Sequence, residues 1–231
     1  MSDLTTSLKG KVAVITGSSR SIGAAIAKCM GEQGAKVVVN YVNDSKAADE
    51  VVGVIKATLS GTAIAVKADA STIAGGKQLL DEAVLADVDE EFYDAHFNTN
   101  VKGPLFLAKA AAELLPAPGG RVIFFSSLTS ASVVTPNALV YTASKGAIEQ
   151  ISRVLAKDLG ARGITVNTVS PGPVDTPLFR DGKPQQVIDF IANFNPNRRL
   201  GETDEIAPLV AFLASPAARW INGQNIRGYV V

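Results

Sequence analysis

Tyr141, Ser144 and Lys145 stand in the run Val-Tyr-Thr-Ala-Ser-Lys-Gly-Ala, and the residues that follow, Gly-Ala-Ile-Glu-Gln-Ile-Ser-Arg-Val-Leu-Ala, have the pattern of an amphipathic helix. On a helix, residues four apart project from one face a turn apart, so Tyr141 and Lys145 are neighbours. An ammonium beside a phenol stabilises the phenolate. Such a pair can give a proton to a substrate oxygen, or take one, near neutral pH. The same pair also describes a surface helix with an exposed lysine and a half-buried tyrosine.

The start of the chain narrows the choice. Residues 11–16, Lys-Val-Ala-Val-Ile-Thr, form a short apolar, β-branched run that reads as a buried strand. Gly17-Ser-Ser-Arg-Ser-Ile-Gly23 follows, then the helix-like Ala-Ala-Ile-Ala-Lys-Cys-Met. Strand, glycine turn and helix in that order are the setting a nucleotide-binding turn needs. Gly17 permits the tight turn, and a helix start offers free N–H groups and a positive dipole end to a pyrophosphate.

With three further motifs, these stretches make the chain similar to the short-chain dehydrogenase/reductase family in its single-domain form. Thr16-Gly17-Ser18-Ser19-Arg20-Ser21-Ile22-Gly23 matches the family's Thr-Gly-x-x-x-Gly-x-Gly, with Ser21 where the middle glycine stands. Phe97-Asn-Thr-Asn100 matches its Asn-bearing helix, Phe125-Ser-Ser127 its serine strand and Tyr141-x-x-x-Lys145 its acid. Ser170-Pro171-Gly172-Pro173-Val174-x-Thr176 matches the loop over the nicotinamide. The resemblance runs from Leu8 to the C-terminus with two shortfalls. It implies an α/β fold with a doubly wound, Rossmann-like parallel sheet in three layers, as one oxidoreductase domain over residues 1–231. It also implies NAD(P)-dependent interconversion of a carbonyl and an alcohol. Relatives of this kind act on 3-oxoacyl thioesters, glucose and polyhydroxynaphthalenes.

The resemblance also implies roles. Tyr141 is the general acid in reduction and the base in oxidation, and Lys145 lowers its pKa and bonds the nicotinamide ribose. Ser127, with Ser126 as the alternative, steadies the substrate oxygen. Asn100 holds a water that links Lys145 to solvent. Gly17, Ser19, Arg20, Ser21, Ile22 and Gly23 surround the cofactor's phosphates, Asp69 and Ala70 its adenine, and Pro171, Gly172, Val174 and Thr176 its nicotinamide. An acid closing the second strand would bond a ribose 2′-hydroxyl and repel a 2′-phosphate. Here that place reads Val39-Asn40-Tyr41, with no acid before Asp44. Arg20 supplies a cation for a 2′-phosphate. Asn40, Tyr41 and Ser45 supply donors to the same group, so NADP(H) is expected over NAD(H).

Composition agrees with one sizeable domain: 231 residues, 47% hydrophobic, with zero formal net charge. Neither disorder nor nucleic-acid binding is favoured. No apolar run is long enough to span a bilayer, and Met1-Ser-Asp-Leu-Thr-Thr lacks a signal peptide's charged start and apolar core. Cys29 is the only cysteine, so no intrachain disulfide can form and a reducing, cytoplasmic setting is expected. It reads as a packed thiol. His96 is the only histidine, which leaves little for a histidine triad or a metal cluster, and it reads as structural or exposed.

Strand-like stretches at 35–41, 62–67, 121–126 and 164–169 alternate with helix-like ones at 45–59, 141–160 and 205–214, the last capped by Thr203. Such alternation predicts a parallel sheet with its ligand at the strand C-termini. Between Asp69 and Asn100 the alternation fails. Residues 72–85 read as a helix and Asp87-Val-Asp-Glu-Glu opens another, with no strand between. Against the family, the fourth strand and its Asn-Asn-Ala-Gly turn, roughly twenty-odd residues, are absent from the sequence. Ile226-Arg-Gly-Tyr marks a second, smaller shortfall. A central parallel strand is hard to delete without losing the fold, which favours residues missing from the sequence as written over a shortened protein.

Residues 178–194, with Phe179, Phe190, Ile191 and Phe194, occupy the place of the family's substrate lid, and Val134 and Pro136 border the pocket. The small-molecule substrate is therefore expected to be a hydrophobic or aromatic ketone, or a 3-oxoacyl compound. Two long helices, roughly 91–115 and 141–160, imply a homotetramer or homodimer by resemblance. A second reading is a relative that binds nucleotide without catalysis. It draws on Ser21 and on the two shortfalls.

Overall fold

The structure, a computed structural model of the chain, describes residues 6–58, 61–69, 88–130 and 138–228. They fall into two units: the chain up to Asp69 with Pro173–Ala218, and the intervening chain with the stretch after Ala218.

In the first unit, β1 (Val12–Ile15), β2 (Lys36–Tyr41) and β3 (Thr62–Lys67) form a parallel sheet in that order. The register aligns Val14 with Val38 and Val38 with Ile64. Two helices join the strands, α1 (Ser21–Glu32) and α2 (Ser45–Lys56). Alternation along the strands buries Val37, Val39 and Ala63 together with Ala27, Ala48 and Ile55. The helices approach closely at Gly31, where a Cβ would lie 2.6 Å from Ile55 Cγ2. Asp44 starts α2 by accepting from the Ala47 N–H. The helix stops at Lys56, short of 59, where the Thr58 hydroxyl donates to the Ile55 carbonyl. The returning segment begins with a parallel bridge between Val174 and Gly201, which encloses α6 (Pro177–Arg180) and α7 (Gln185–Ala192). Next, α8 (Thr203–Ala214) packs along α1. Its cap is Glu202 and not Thr203, because Glu202 and Glu205 form a reciprocal capping box.

The second unit opens with α3 (Glu90–Phe97), capped by Asp89, followed by a π-helical turn (Asn98–Lys102) and α4 (Gly103–Leu114). Then come β4 (Arg121–Phe125), α5 (Leu139–Gly160), β5 (Thr165–Ser170) and β6 (Asn225–Arg227), the strands pairing in parallel as β4-β5-β6. β5 is buried along its whole length, as a parallel strand with helices and neighbours on every side must be. On α5 the row Val140, Ser144, Ile148, Ser152, Ala156 and Leu159 is buried at helical spacing. Of these, Ile148, Ala156 and Leu159 join Ala108, Phe124, Ile164 and Val166 in one core.

Each unit is thus parallel α/β of Rossmann-like type. Among the described residues no strand stands between β3 and α3; the helix expected over 72–85 lies outside them. His96 is 1% exposed, its Nδ1 is 2.9 Å from the Phe92 carbonyl and its ring lies against Phe92, so it is structural. Cys29 is partly buried and accepts a weak bond from the Gln33 amide. No helix among the described residues is long and apolar enough to cross a membrane, and none of their His, Cys, Asp and Glu side chains form a metal-holding group.

Candidate active site

The glycine turn follows β1 directly. Gly17 takes a φ of +59°, in the left-handed region that glycine enters freely. Two side chains lock the turn. The Ser18 hydroxyl donates to the Ile15 carbonyl (2.6 Å) and accepts from the Asn40 N–H (3.0 Å). Asn40 accepts the Gly17 N–H (3.1 Å) and donates its amide to the carbonyls of Ala68 (2.8 Å) and Val66 (3.3 Å). Both amide hydrogens are spent inside the protein. This corrects the expectation that Asn40 donates to a cofactor: it shapes the turn from behind.

Gly23 matters by close approach, since a Cβ there would sit 2.6 Å from the Gly17 carbonyl oxygen. Ser21 has a φ of +51°, a conformation that costs a non-glycine residue roughly 1 kcal/mol. Arg20 at the N-cap of α1 gives the helix no side-chain cap, and its first turn carries no acid. The first N–H groups of a helix have no intrahelical partner, so this start fits a pyrophosphate. Asp44, the nearest acid beyond β2, is occupied in capping α2, while Tyr41 is partly buried and Ser45 exposed. A cavity of about 780 Å³ lies beside the turn, lined by Ser19, Arg20 and Ser21 and by Thr203 and Asp204. It continues along α1 to Glu32, so only its turn end is placed for a cofactor.

The second constellation lies at the end of β4 and the start of α5. The Ser127 side chain is hydrogen-bonded to Tyr141 and accepts from the Thr129 hydroxyl at 3.0 Å. Lys145 Nζ stands 5.6 Å from the centre of the Tyr141 ring and donates to the Phe125 carbonyl at 3.2 Å. Burial, which disfavours the ammonium, pulls Lys145 down to about 8. Burial also pushes the Tyr141 phenol up, and the bond to Ser127 acts in the opposite sense. At neutral pH the arrangement is a phenol beside an ammonium that is short of counter-charge. Formation of a phenolate would supply it.

Asn100 sits on the π-helical turn, a distortion that recurs at functional sites. Its amide donates to the Ser144 hydroxyl (3.1 Å), which in turn donates to the Tyr141 carbonyl (2.7 Å). Ser126 is buried and turned to Glu149 and the Lys145 carbonyl, which leaves Ser127 as the serine on the phenol. Of the loop residues, Pro171 accepts from the Leu128 N–H and Gly172 follows it. Val174 lies in the bridge to Gly201, and Thr176 caps α6 through Phe179. Asp69 is described; Ala70, Val134 and Pro136 lie outside the described residues. Phe190 and Phe194 meet edge to face at 4.9 Å and are 65% and 43% exposed. Ser18, Ser144 and Glu149 make contacts to which the motifs gave no role. Only Glu149 had a signal, as the next step of the four-residue spacing from Tyr141 through Lys145.

Fold and site together define a parallel α/β protein that gathers the side chains of Ser127, Tyr141 and Lys145 at the end of β4. A family described as Enoyl-(Acyl carrier protein) reductase matches residues 73–228. The chain is 39% identical over 253 residues to the protein named "Probable tetrahydroxynaphthalene reductase" of Zymoseptoria tritici, covering 96% of this chain and 94% of that one. It is 38% identical over 251 residues to NADPH-dependent aldehyde reductase 2, chloroplastic, of Arabidopsis thaliana, covering 95% and 92%. Among solved structures, angucycline C-6 ketoreductase LanV with bound NADP matches with a TM-score of 0.86 at 34% identity, covering 96% of this chain and 95% of that one. The chain belongs to the short-chain dehydrogenase/reductase family and is an oxidoreductase. Both sequence alignments run longer than the 231 residues of the chain, so these relatives carry residues that face gaps in it.

Proposed function

We propose that the protein interconverts a ketone and an alcohol with NADP(H), and that Tyr141 exchanges the proton. The observation that carries this is the Ser127–Tyr141–Lys145 group, a phenol bonded to one hydroxyl with an ammonium 5.6 Å from its ring centre. A bound nicotinamide supplies or accepts the hydride. In reduction, Ser127 steadies the substrate oxygen and Tyr141 gives it a proton. Lys145, protonated below about pH 8, compensates the phenolate left behind. In oxidation the phenolate takes the proton back. Asn100 fixes the first turn of α5 through Ser144, and a water on it would link Lys145 to solvent.

The cofactor assignment draws on three supports: Arg20 at the turn, the absence of a free acid at the end of β2, and relatives named for NADPH or NADP. Gly17, Ser19, Ser21, Ile22 and Gly23 would surround the pyrophosphate, and Arg20, Tyr41 and Ser45 the 2′-phosphate. Asp69 is assigned to the adenine, Tyr141 and Lys145 to the ribose, and Pro171, Gly172, Val174 and Thr176 to the nicotinamide. An aromatic or otherwise apolar ketone is supported by the reductase of a polyhydroxylated naphthalene, by the angucycline ketoreductase and by the exposed Leu178, Phe190 and Phe194. The relatives align with 96% of the chain, which supports one catalytic domain. Exposed Phe106 and Leu114 on α4 and Val154 on α5 support association into a homodimer or homotetramer.

The test is steady-state turnover of a panel of aromatic and 3-oxoacyl ketones with NADPH and with NADH. NADPH should give the higher kcat/KM, and Tyr141→Phe should lower kcat by about 100-fold or more. A clear NADH preference would overturn the cofactor assignment. Full turnover by Tyr141→Phe would overturn the mechanism.

A further inference from the structure

Tyr141, Lys145 and Glu149 follow one another at four-residue steps along α5. Glu149 is only 7% exposed, which is rare for a carboxylate. Its Oε1 accepts the Ser126 hydroxyl at 2.8 Å, and that hydroxyl is also 3.1 Å from the Lys145 carbonyl. Arg153, the next step of the row, comes only to 4.0 Å of the other carboxylate oxygen and is half exposed. Ser126 itself is anchored to β5, its N–H donating to the Val169 carbonyl at 2.9 Å. It stands between Phe125, whose carbonyl holds the Lys145 amine, and Ser127, whose side chain is bonded to Tyr141. Three consecutive residues at the strand end thus meet α5, and Glu149 holds the middle one.

We propose that Glu149 is a positioning residue of the proton-handling group, clamping the end of β4 to α5 through the Ser126 hydroxyl so that Phe125 and Ser127 stay in register with Lys145 and Tyr141. This rests on the role of Tyr141 proposed above. A hydroxyl bonded to a carboxylate is held more tightly than one bonded to a neutral acceptor. Without that acceptor the middle residue of the strand end loses its bond to a side chain of α5, while Phe125 and Ser127 keep theirs to Lys145 and Tyr141. Small displacements of reacting groups are costly to turnover.

The experiment compares Glu149→Leu, Glu149→Gln, Ser126→Ala and Tyr141→Phe with the wild type, reading kcat and KM for NADPH and ketone and the melting temperature. Glu149→Leu and Ser126→Ala should each lower kcat about tenfold or more with both KM values within about twofold. Glu149→Gln keeps an acceptor and should recover most of the loss, and Ser126→Ala combined with Glu149→Leu should be no worse than either alone. If Glu149→Leu does not fold, Ser126→Ala carries the test. Wild-type kcat in the folded variants, with only melting temperatures lowered, would reduce Glu149 to a structural role and overturn the proposal. Equal losses for Gln and Leu would also overturn it. The Tyr141→Phe arm separates the two claims: turnover there sinks the reading of the site, whereas its loss beside normal Ser126→Ala kcat sinks only the clamp.

Discussion

Replacing Lys145 by methionine should stabilise the protein while it removes turnover. Burial takes the amine from 10.5 to about 8. At about 1.4 kcal/mol per pKa unit, that drop corresponds to about 3 kcal/mol spent on keeping the ammonium charged in the fold. Methionine keeps the length and the apolar stem and carries no charge. Against the gain stands the lost bond to the Phe125 carbonyl, roughly 1 kcal/mol. The net expectation at pH 7 is about 2 kcal/mol in favour of the variant.

The pH dependence fixes the cause. The folded-state pKa lies below the unfolded one, so below pH 8 both states hold the proton and the fold bears the full cost. Between 8 and 10.5 the unfolded chain binds a proton that the folded protein has released, and wild-type stability rises with pH. Above 10.5 neither state is charged, and only the missing hydrogen bond separates the two proteins. Urea unfolding of both, without cofactor, at pH 7 and near pH 10 measures this directly. A variant less stable at pH 7, or a gap of the same size at both pH values, would refute the reasoning.

Three further outcomes follow from single contacts. Arg20→Ala should raise KM for NADPH about tenfold or more and leave the NADH constants alone; equal losses for both would take Arg20 away from the 2′-phosphate. Ser21→Gly relieves the positive φ and should add about 1 kcal/mol of stability, seen as a higher melting temperature, with tighter NADPH binding by calorimetry. An unchanged melting temperature would show that the turn absorbs the strain. Glu205 is held down to about 2 by hydrogen bonding to the Arg199 guanidinium and by the Glu202 N–H, so its stabilisation is complete above its ordinary 4.5 and is lost as pH falls towards 2. Glu205→Gln should therefore melt below wild type at pH 6 and together with it near pH 2, and a constant gap would count against this account.

Much of this architecture is readable from residues close together in the chain. Val12–Ile15 before Gly17, and Tyr141 four residues before Lys145, carry their geometry within one strand-turn-helix or one helical turn. What the chain hides is partnership over distance. Asn40 is an unremarkable amide at a strand end until Val66 of β3 and Ala68 just beyond it supply two carbonyls and Gly17, 23 residues away, supplies an N–H. Its side chain is consumed by neighbours that no local pattern displays. The same holds for Ser126 and Glu149, 23 residues apart and joined only because β4 and α5 meet. Helix ends fail for a smaller reason: Glu202 and Thr203 are both able to cap, and the capping box with Glu205 decides between them.

The first sheet carries apolar side chains exposed on one face. Parallel sheets are ordinarily covered on both faces. Here Val12, Val14 and Ile64 are 67%, 66% and 56% exposed, on the face away from Val37 and Val39. β-branched apolar residues in that pattern belong to strands written for a cover on each side. The relatives carry residues that face gaps in this chain, and among the described residues no strand stands between β3 and α3. Yet the bonds that lock the glycine turn join β1, β2 and the end of β3, and those of the Tyr141 group join β4, α5 and the π-helical turn. The Tyr141 group and the glycine turn therefore each find their supports within a single unit.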